Sequence, residues 1–139
     1  MHRDLNPENI LLGDKSDSHS VYLIDFGLVT PSRPKATKRR KIYNGLVGTA
    51  KFSAKASHEG LEQFPTDDLE SLGYVLAFFA FGCLPWDVEK GDTDEELFRK
   101  ILKSKKETTV EELSGGYNCL RKYFQVINDL PLCGKIDYS

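Results

Sequence analysis

Three residues near the start of the chain are of the right types, at the right spacing, to handle a phosphate. Asp4 is a carboxylate five residues before a neutral amide, Asn9, and a second carboxylate, Asp25, follows sixteen residues after Asn9. A carboxylate in a polar loop can accept or orient the proton of an attacking hydroxyl. An amide oxygen and a carboxylate oxygen are hard donors suited to a magnesium ion beside a nucleotide's outer phosphates. Asp4 is therefore the candidate base, and Asn9 and Asp25 the candidate metal ligands. Taken alone, each is equally an ordinary solvated loop residue.

For these groups to meet, the chain between them must fold back. Two short apolar runs, Ile10-Leu11-Leu12 and Val21-Tyr22-Leu23-Ile24, flank the polar turn Gly13 to Ser18. That pattern predicts a β hairpin, which sets Asn9 and Asp25 side by side. Residues 30–55 then carry eight Lys or Arg and no acid, a basic loop begun by Pro31 and Pro34. Residues 67–82 are apolar on nearly all faces, which predicts a buried helix. Asp67 and Glu70 stand at capping-box spacing, and Gly82 and Pro85 end the helix. Residues 93–106 predict a surface helix capped by Thr93. Its acids lie in the first turn, and Lys103, Lys105 and Lys106 lie in the last, complementing the helix dipole. A further helix is expected over about 117–129, opened by Gly115-Gly116 and stopped by Pro131.

Composition bounds the rest. The chain has 139 residues, 40% hydrophobic and 29% charged, with a net charge of −2. These values suit one globular domain and exclude a disordered or wholly basic chain. Cys83, Cys119 and Cys133 form no CxxC pair, so neither a disulfide scaffold nor a zinc knuckle is indicated. A reducing compartment, cytoplasmic or nuclear, is expected. The longest apolar run, Val75 to Phe81, is far short of the roughly 20 residues that cross a bilayer. The run Lys38-Arg39-Arg40-Lys41 reads as a solvated loop attractive to acidic substrates. With little aromatic interleaving beyond Tyr43, a nucleic-acid surface is disfavoured. Ser53, Ser57 and Thr37 are candidate phosphorylation sites.

The run His2-Arg3-Asp4-Leu5-Asn6-Pro7-Glu8-Asn9 matches the catalytic loop of protein kinases, and Asp25-Phe26-Gly27 their metal-binding tripeptide. Several longer runs resemble the casein kinase 1 family of Ser/Thr protein kinases. They are Val21 to Leu28, Gly48-Thr49-Ala50-Lys51-Phe52, Asp67 to Leu76 and Gly82 to Trp86. The resemblance implies a protein-kinase-like α+β fold: a mainly helical large lobe with a small β hairpin, the N-terminal lobe missing, residues 1–139 forming a partial kinase domain. It implies ATP and Mg2+ as cofactors and phosphoryl transfer to Ser or Thr of protein substrates. It places Leu11 and Ile24 at the floor of the adenine pocket and Thr49 beside the catalytic Asp and the substrate. It sets Lys51 where the family has an Arg in an anion pocket that favours acidic or already phosphorylated substrates. It also gives Asp68 the task of holding the catalytic-loop backbone, although simple helix capping would account for an acid there too.

Two departures from the family pattern bear on activity. Asn6 stands where the family has a Lys that neutralises the transferred phosphoryl group. Ala54-Lys55-Ala56 replaces Ser-Ile-Asn at the end of the activation segment. The Gly-rich loop, strand Lys and helix Glu of the family do not occur in the sequence. The alternative to a kinase acting as part of a longer chain is thus an inactive kinase-like fragment, or pseudokinase, that serves as a binding module.

Overall fold

The computed structural model describes residues 1–17, 19–33, 38–42, 45–131 and 136. Pro34, Thr37, Tyr43 and Cys133, weighed above, lie outside the described residues, as does Lys35 of the basic loop. The described residues are mostly helical, with one small antiparallel sheet. Strand β1 (Ile10–Leu12) pairs with β2 (Val21–Leu23), Ile10 opposite Leu23 and Leu12 opposite Val21. The hairpin lies where the two apolar runs predict it. Its apolar side chains, Leu11, Leu12, Val21, Tyr22 and Leu23, are exposed, as are Phe26 and Val29 beyond it.

Among the described residues five helices follow: α1 (Lys55–His58), α2 (Pro65–Phe81), α3 (Asp94–Glu107), α4 (Val110–Ser114) and α5 (Asn118–Asp129). Helix α2 begins two residues earlier than expected because Pro65 occupies its first turn, where the missing N–H costs nothing. Asp67 is therefore not the cap itself. Its carboxylate reaches back to accept the Phe64 amide at 2.6 Å. Nor is α2 buried all round. Tyr74, Val75 and Ala77 are in the core, whereas Phe79 is 58% exposed and Leu76 and Phe81 face outward. Gly82 closes the helix in the left-handed conformation (φ 74°). The Gly115-Gly116 pair closes the short helix α4, absent from the sequence expectation, instead of opening α5. Gly115, at φ 51°, is its left-handed C-cap.

The core gathers Tyr74, Val75 and Ala77 of α2 with Phe52, Leu84, Trp86, Ile101, Leu113 and Phe124. Helix α5 packs along α2, and α3 packs against α1 and the turn at Pro85–Val88. The α2–α5 contact is close: a Cβ on Gly73 would lie 2.7 Å from the Phe124 ring. Tyr74 meets Trp86 edge to face, ring centres 4.8 Å apart. Each fully buried aromatic of this size contributes roughly 4–5 kcal/mol of gross apolar burial. Helix α2 is thus a fixed post. One end of it carries Asp68, and the segment before α1 carries Thr49.

Candidate active site

The loop around Asp4 is held by side-chain bonds, each traceable to a residue type. Asn6 adopts an extended backbone and caps the 3-10 turn Pro7–Asn9, its Oδ1 accepting the amides of Glu8 (2.9 Å) and Asn9 (3.1 Å). Asn followed by Pro is a turn-start signature, because the first position needs no N–H. The other end of the Asn6 amide, Nδ2, donates to Thr49 Oγ1 at 3.1 Å and to the Asp4 carbonyl at 3.3 Å. Asn9 Nδ2 donates to the same carbonyl at 3.0 Å and lies 3.4 Å from Asp4 Oδ2. Asp4 Oδ1 accepts from both the amide (2.9 Å) and the hydroxyl (2.8 Å) of Thr49. The Asp4 carboxylate is therefore oriented by one segment through each oxygen. Gly48 makes this approach possible. Its φ is 87°, and a Cβ there would sit 2.5 Å from the Arg3 carbonyl and 3.2 Å from Asp4 Oδ1.

Behind the loop, two adjacent acids divide the work that the sequence left open. Asp67 reaches back from the first turn of α2 to the Phe64 amide, whereas Asp68 accepts the backbone amides of His2 (Oδ2, 2.6 Å) and Arg3 (Oδ1, 2.9 Å). Arg3 needs this anchor, since its φ of 71° is a left-handed conformation that costs a non-glycine residue about 1 kcal/mol. The buried His2 ring ties the loop to the second motif. Nδ1 accepts the Asp4 amide (3.3 Å) and Nε2 bonds the Ile24 carbonyl (2.9 Å), a pair satisfied by the Nε2–H tautomer. The ring edge also meets Phe26 at 5.4 Å. Sequence reasoning assigned no task to His2 or to Asn6 as a cap; the Asn-Pro pair was the available signal.

The hairpin closes the site. Ile24 donates its amide to the Asn9 carbonyl at 3.0 Å, one step beyond the Ile10–Leu23 pair, so Asp25 emerges directly beside the Asn9 register. Asp25 is itself left-handed (φ 60°), its Oδ1 accepting the Gly27 amide at 3.1 Å. Among the described residues no group of three or more His, Cys, Asp or Glu forms a metal cluster. The donors that remain suit magnesium nonetheless. Asn9's amide nitrogen is turned onto Asp4 and Asp25 uses Oδ1 internally, which leaves Asn9 Oδ1 and Asp25 Oδ2 as hard oxygen donors. Two protein oxygens, with the rest supplied by phosphates and water, is a normal magnesium arrangement.

The remaining candidates lie around this centre. Leu11 and Ile24, 47% and 38% exposed, are on the hairpin. Lys51 shares a cavity of about 260 Å³ with Asn6, Pro7, Glu8, Thr49, Phe52 and Phe78. Its ammonium is paired with Asp87 Oδ2 at 2.7 Å and lies 4.1 Å over the Phe78 ring. A larger cavity, about 670 Å³, is bordered by Leu46, His58, Phe98 and Arg99 and contains none of the candidates.

The basic loop departs from the solvated expectation. Arg33 and Arg40 both bind Glu62, and Arg39 forms a two-pronged pair with the buried Asp67 at 2.6 and 2.8 Å. Hydrogen bonding from Arg33, then Arg40, pulls the Glu62 carboxyl down to about 2. Burial pushes the Asp67 carboxyl upward against the pull of Arg39. The guanidiniums read as free positive charge thus fasten the segment to the body of the fold.

A family model, the protein kinase domain, matches residues 1–130. With the catalytic loop, hairpin and helical body as described, the chain belongs to the protein kinase domain family. Phosphoryl transfer to protein substrates, with ATP and magnesium ions, is the chemistry of that family.

Proposed function

We propose that this chain is the part of a casein kinase 1-like Ser/Thr protein kinase that holds the catalytic base and the metal ligands, and works within a longer chain. The observation that supports this most is the fixed orientation of Asp4. Thr49 holds one carboxylate oxygen, and the Asn9 amide stands beside the other. In this reading Asp4 Oδ2 receives the proton of a Ser or Thr hydroxyl while the phosphoryl group is transferred. Asn9 and Asp25 hold the magnesium, which neutralises charge on the phosphates. Leu11 and Ile24 form the floor under the adenine. Thr49 seats both Asp4 and the substrate, and Asp68 keeps the loop backbone in place. Lys51 faces acidic or phosphorylated substrate residues, a task for which its ammonium must exchange Asp87 for the substrate. A Lys lacks the fork of an Arg, so such a preference is softer than a guanidinium's. The protein works in the cytoplasm, the nucleus or both.

The second reading, an inactive binding module, is supported by Asn6. A capping amide occupies the place of a phosphate-neutralising Lys, and losing one such contact commonly costs on the order of hundredfold in rate. Phosphotransfer from labelled ATP to an acidic Ser/Thr peptide, using the full natural polypeptide that contains these residues, separates the two. Activity that Asp25→Ala abolishes supports the kinase reading. Activity that survives that change refutes the assignment, and folded protein without turnover supports the binding module.

A further inference from the structure

The cation that closes helix α3 is not on the surface. Lys105 is 2% exposed. Its Nζ donates to two main-chain carbonyls of the segment after Thr49, Ala50 (2.8 Å) and Ser53 (2.5 Å), and lies 3.1 Å from His58 Nε2. Tyr74 and Trp86 form its apolar walls, their ring centres 5.0 and 5.1 Å away. Nothing in the reaction described above uses this ammonium. Burying one without a full carboxylate partner costs several kcal/mol, so its position calls for a reason.

The bonds it makes supply one. Trp86 Nε1 takes the carbonyl between its two, that of Lys51, at 2.8 Å. The Thr49 carbonyl accepts the amides of Phe52 (3.0 Å) and Ser53 (2.9 Å). The carbonyls of Thr49, Ala50, Lys51 and Ser53 are therefore all held, and three of the bonds come from Lys105 and Trp86. The opposite end of the same turn is the Thr49 amide and hydroxyl that grip Asp4 Oδ1. Ion pairs of Lys51 with Asp87 and of Lys55 with Glu70 also tie the segment to the body of the fold, but they act through side chains, whereas Lys105 binds the turn's own main-chain oxygens.

We propose that Lys105 is a positioning residue for Asp4, acting through the 49–53 turn and Thr49. It touches no reacting atom. By anchoring the carbonyl side of the turn it fixes where the Thr49 donors stand, and so which way the Asp4 carboxylate points. The role of Asp4 as base rests on the kinase reading; the mechanical link from Lys105 to Thr49 does not.

Lys105→Met keeps most of the apolar stem and removes the donors. Amide hydrogen exchange on the full chain is the readout. Thr49 and Ser53 are expected to lose about tenfold in protection, the equivalent of one net hydrogen bond, with the Val75 and Phe124 amides of α2 and α5 unchanged. A folded variant with Thr49 as protected as in the parent overturns the proposal. Should the variant not fold, titration of the parent protein decides. The groups facing Nζ are His58 and Lys55 from α1 and Glu70 and Tyr74 from α2. As Lys105 loses its proton, followed at its own Cε, the carbonyl carbons of Ala50 and Ser53 and the Thr49 amide are expected to shift with the same midpoint. A flat Thr49 signal overturns the link. In turnover, Lys105→Met is expected to lower kcat with the KM for ATP unchanged. Turnover absent from the parent while Thr49 still follows Lys105 would refute the kinase reading and leave the link standing.

Discussion

Replacing Asp68 by Asn tests whether the loop around Asp4 hangs from one carboxylate. Asp68 accepts two main-chain amides, from His2 at 2.6 Å and Arg3 at 2.9 Å. Hydrogen bonds to a charged group contribute about 1.5–3 kcal/mol each. An Asn side chain keeps one acceptor and turns its NH2 toward the second amide, so one bond is lost and an N–H···H–N contact replaces it. Arg3 also sits at φ 71°, and about 1 kcal/mol is released when it leaves that region. That release is the same in the parent, so the substitution weakens the loop's hold by the lost bond alone, about 1.5–3 kcal/mol, which corresponds to roughly 10- to 150-fold faster exchange of the His2 and Arg3 amides. Amide exchange by NMR measures this directly. Asp67→Asn is the control, since it touches the α2 cap and Arg39 and leaves the two loop amides alone. Unchanged exchange at His2 and Arg3 in Asp68→Asn would refute the reasoning. So would an equal effect from Asp67→Asn, which would make both acids mere helix caps.

Three further outcomes follow from the same geometry. Asn6→Lys is expected to lose about 1 kcal/mol of stability with its cap; if Asn6 stands where a phosphoryl-neutralising Lys belongs, kcat rises on the order of hundredfold, and a kcat at or below the parent's counts against that placement. Gly73→Ala sets a Cβ 2.7 Å from Phe124 and 2.9 Å from Tyr123; overpacking of about 1–3 kcal/mol outweighs the helix propensity gained, and thermal melts should show a lower Tm. Burial, with Lys105 beside it, lowers the His58 pKa from 6.5 to about 4; the unfolded chain then binds more protons than the folded one between those values, so stability falls as pH drops from 6.5 toward 4, and urea midpoints of His58→Gln should be flatter across that window.

What could be read from the chain was what acts over a few residues. Asp4, Asn6 and Asn9 bond one another within five positions, and the Asn-Pro start, the Thr93 cap and the Gly82 stop are local signals. The hairpin followed from two apolar runs and a polar turn. The longer links needed the fold. Nothing in the run Asp67-Asp68 says which acid reaches back to the Phe64 amide and which crosses 66 residues to the His2 amide. The basic loop looked solvated because its partners, Glu62 and Asp67, lie 22 or more residues away from the arginines they bind. Helix α2 looked buried all round because composition counts apolar residues and cannot show which faces meet a partner.

Lys105 shows how a charge can be misplaced even when the signal is present. It belongs to a last turn rich in Lys, where a cation complements the dipole and solvation is the default. Yet Leu97, Ile101 and Lys105 stand four residues apart, on one stripe of the helix, whereas Lys103 and Lys106 are off it and exposed. Periodicity therefore placed Lys105 on the inner face, and charge type placed it outside. Periodicity prevailed because the turn ahead of α1 presents bare carbonyls to that face and an ammonium can bind several of them at once. A Leu at 105 would continue the stripe and leave the carbonyls of Ala50 and Ser53 without their Lys donor. In a core of this kind, a cation on an apolar stripe is best read as a donor sought by main-chain oxygens, and the segment that owns those oxygens as one whose position matters.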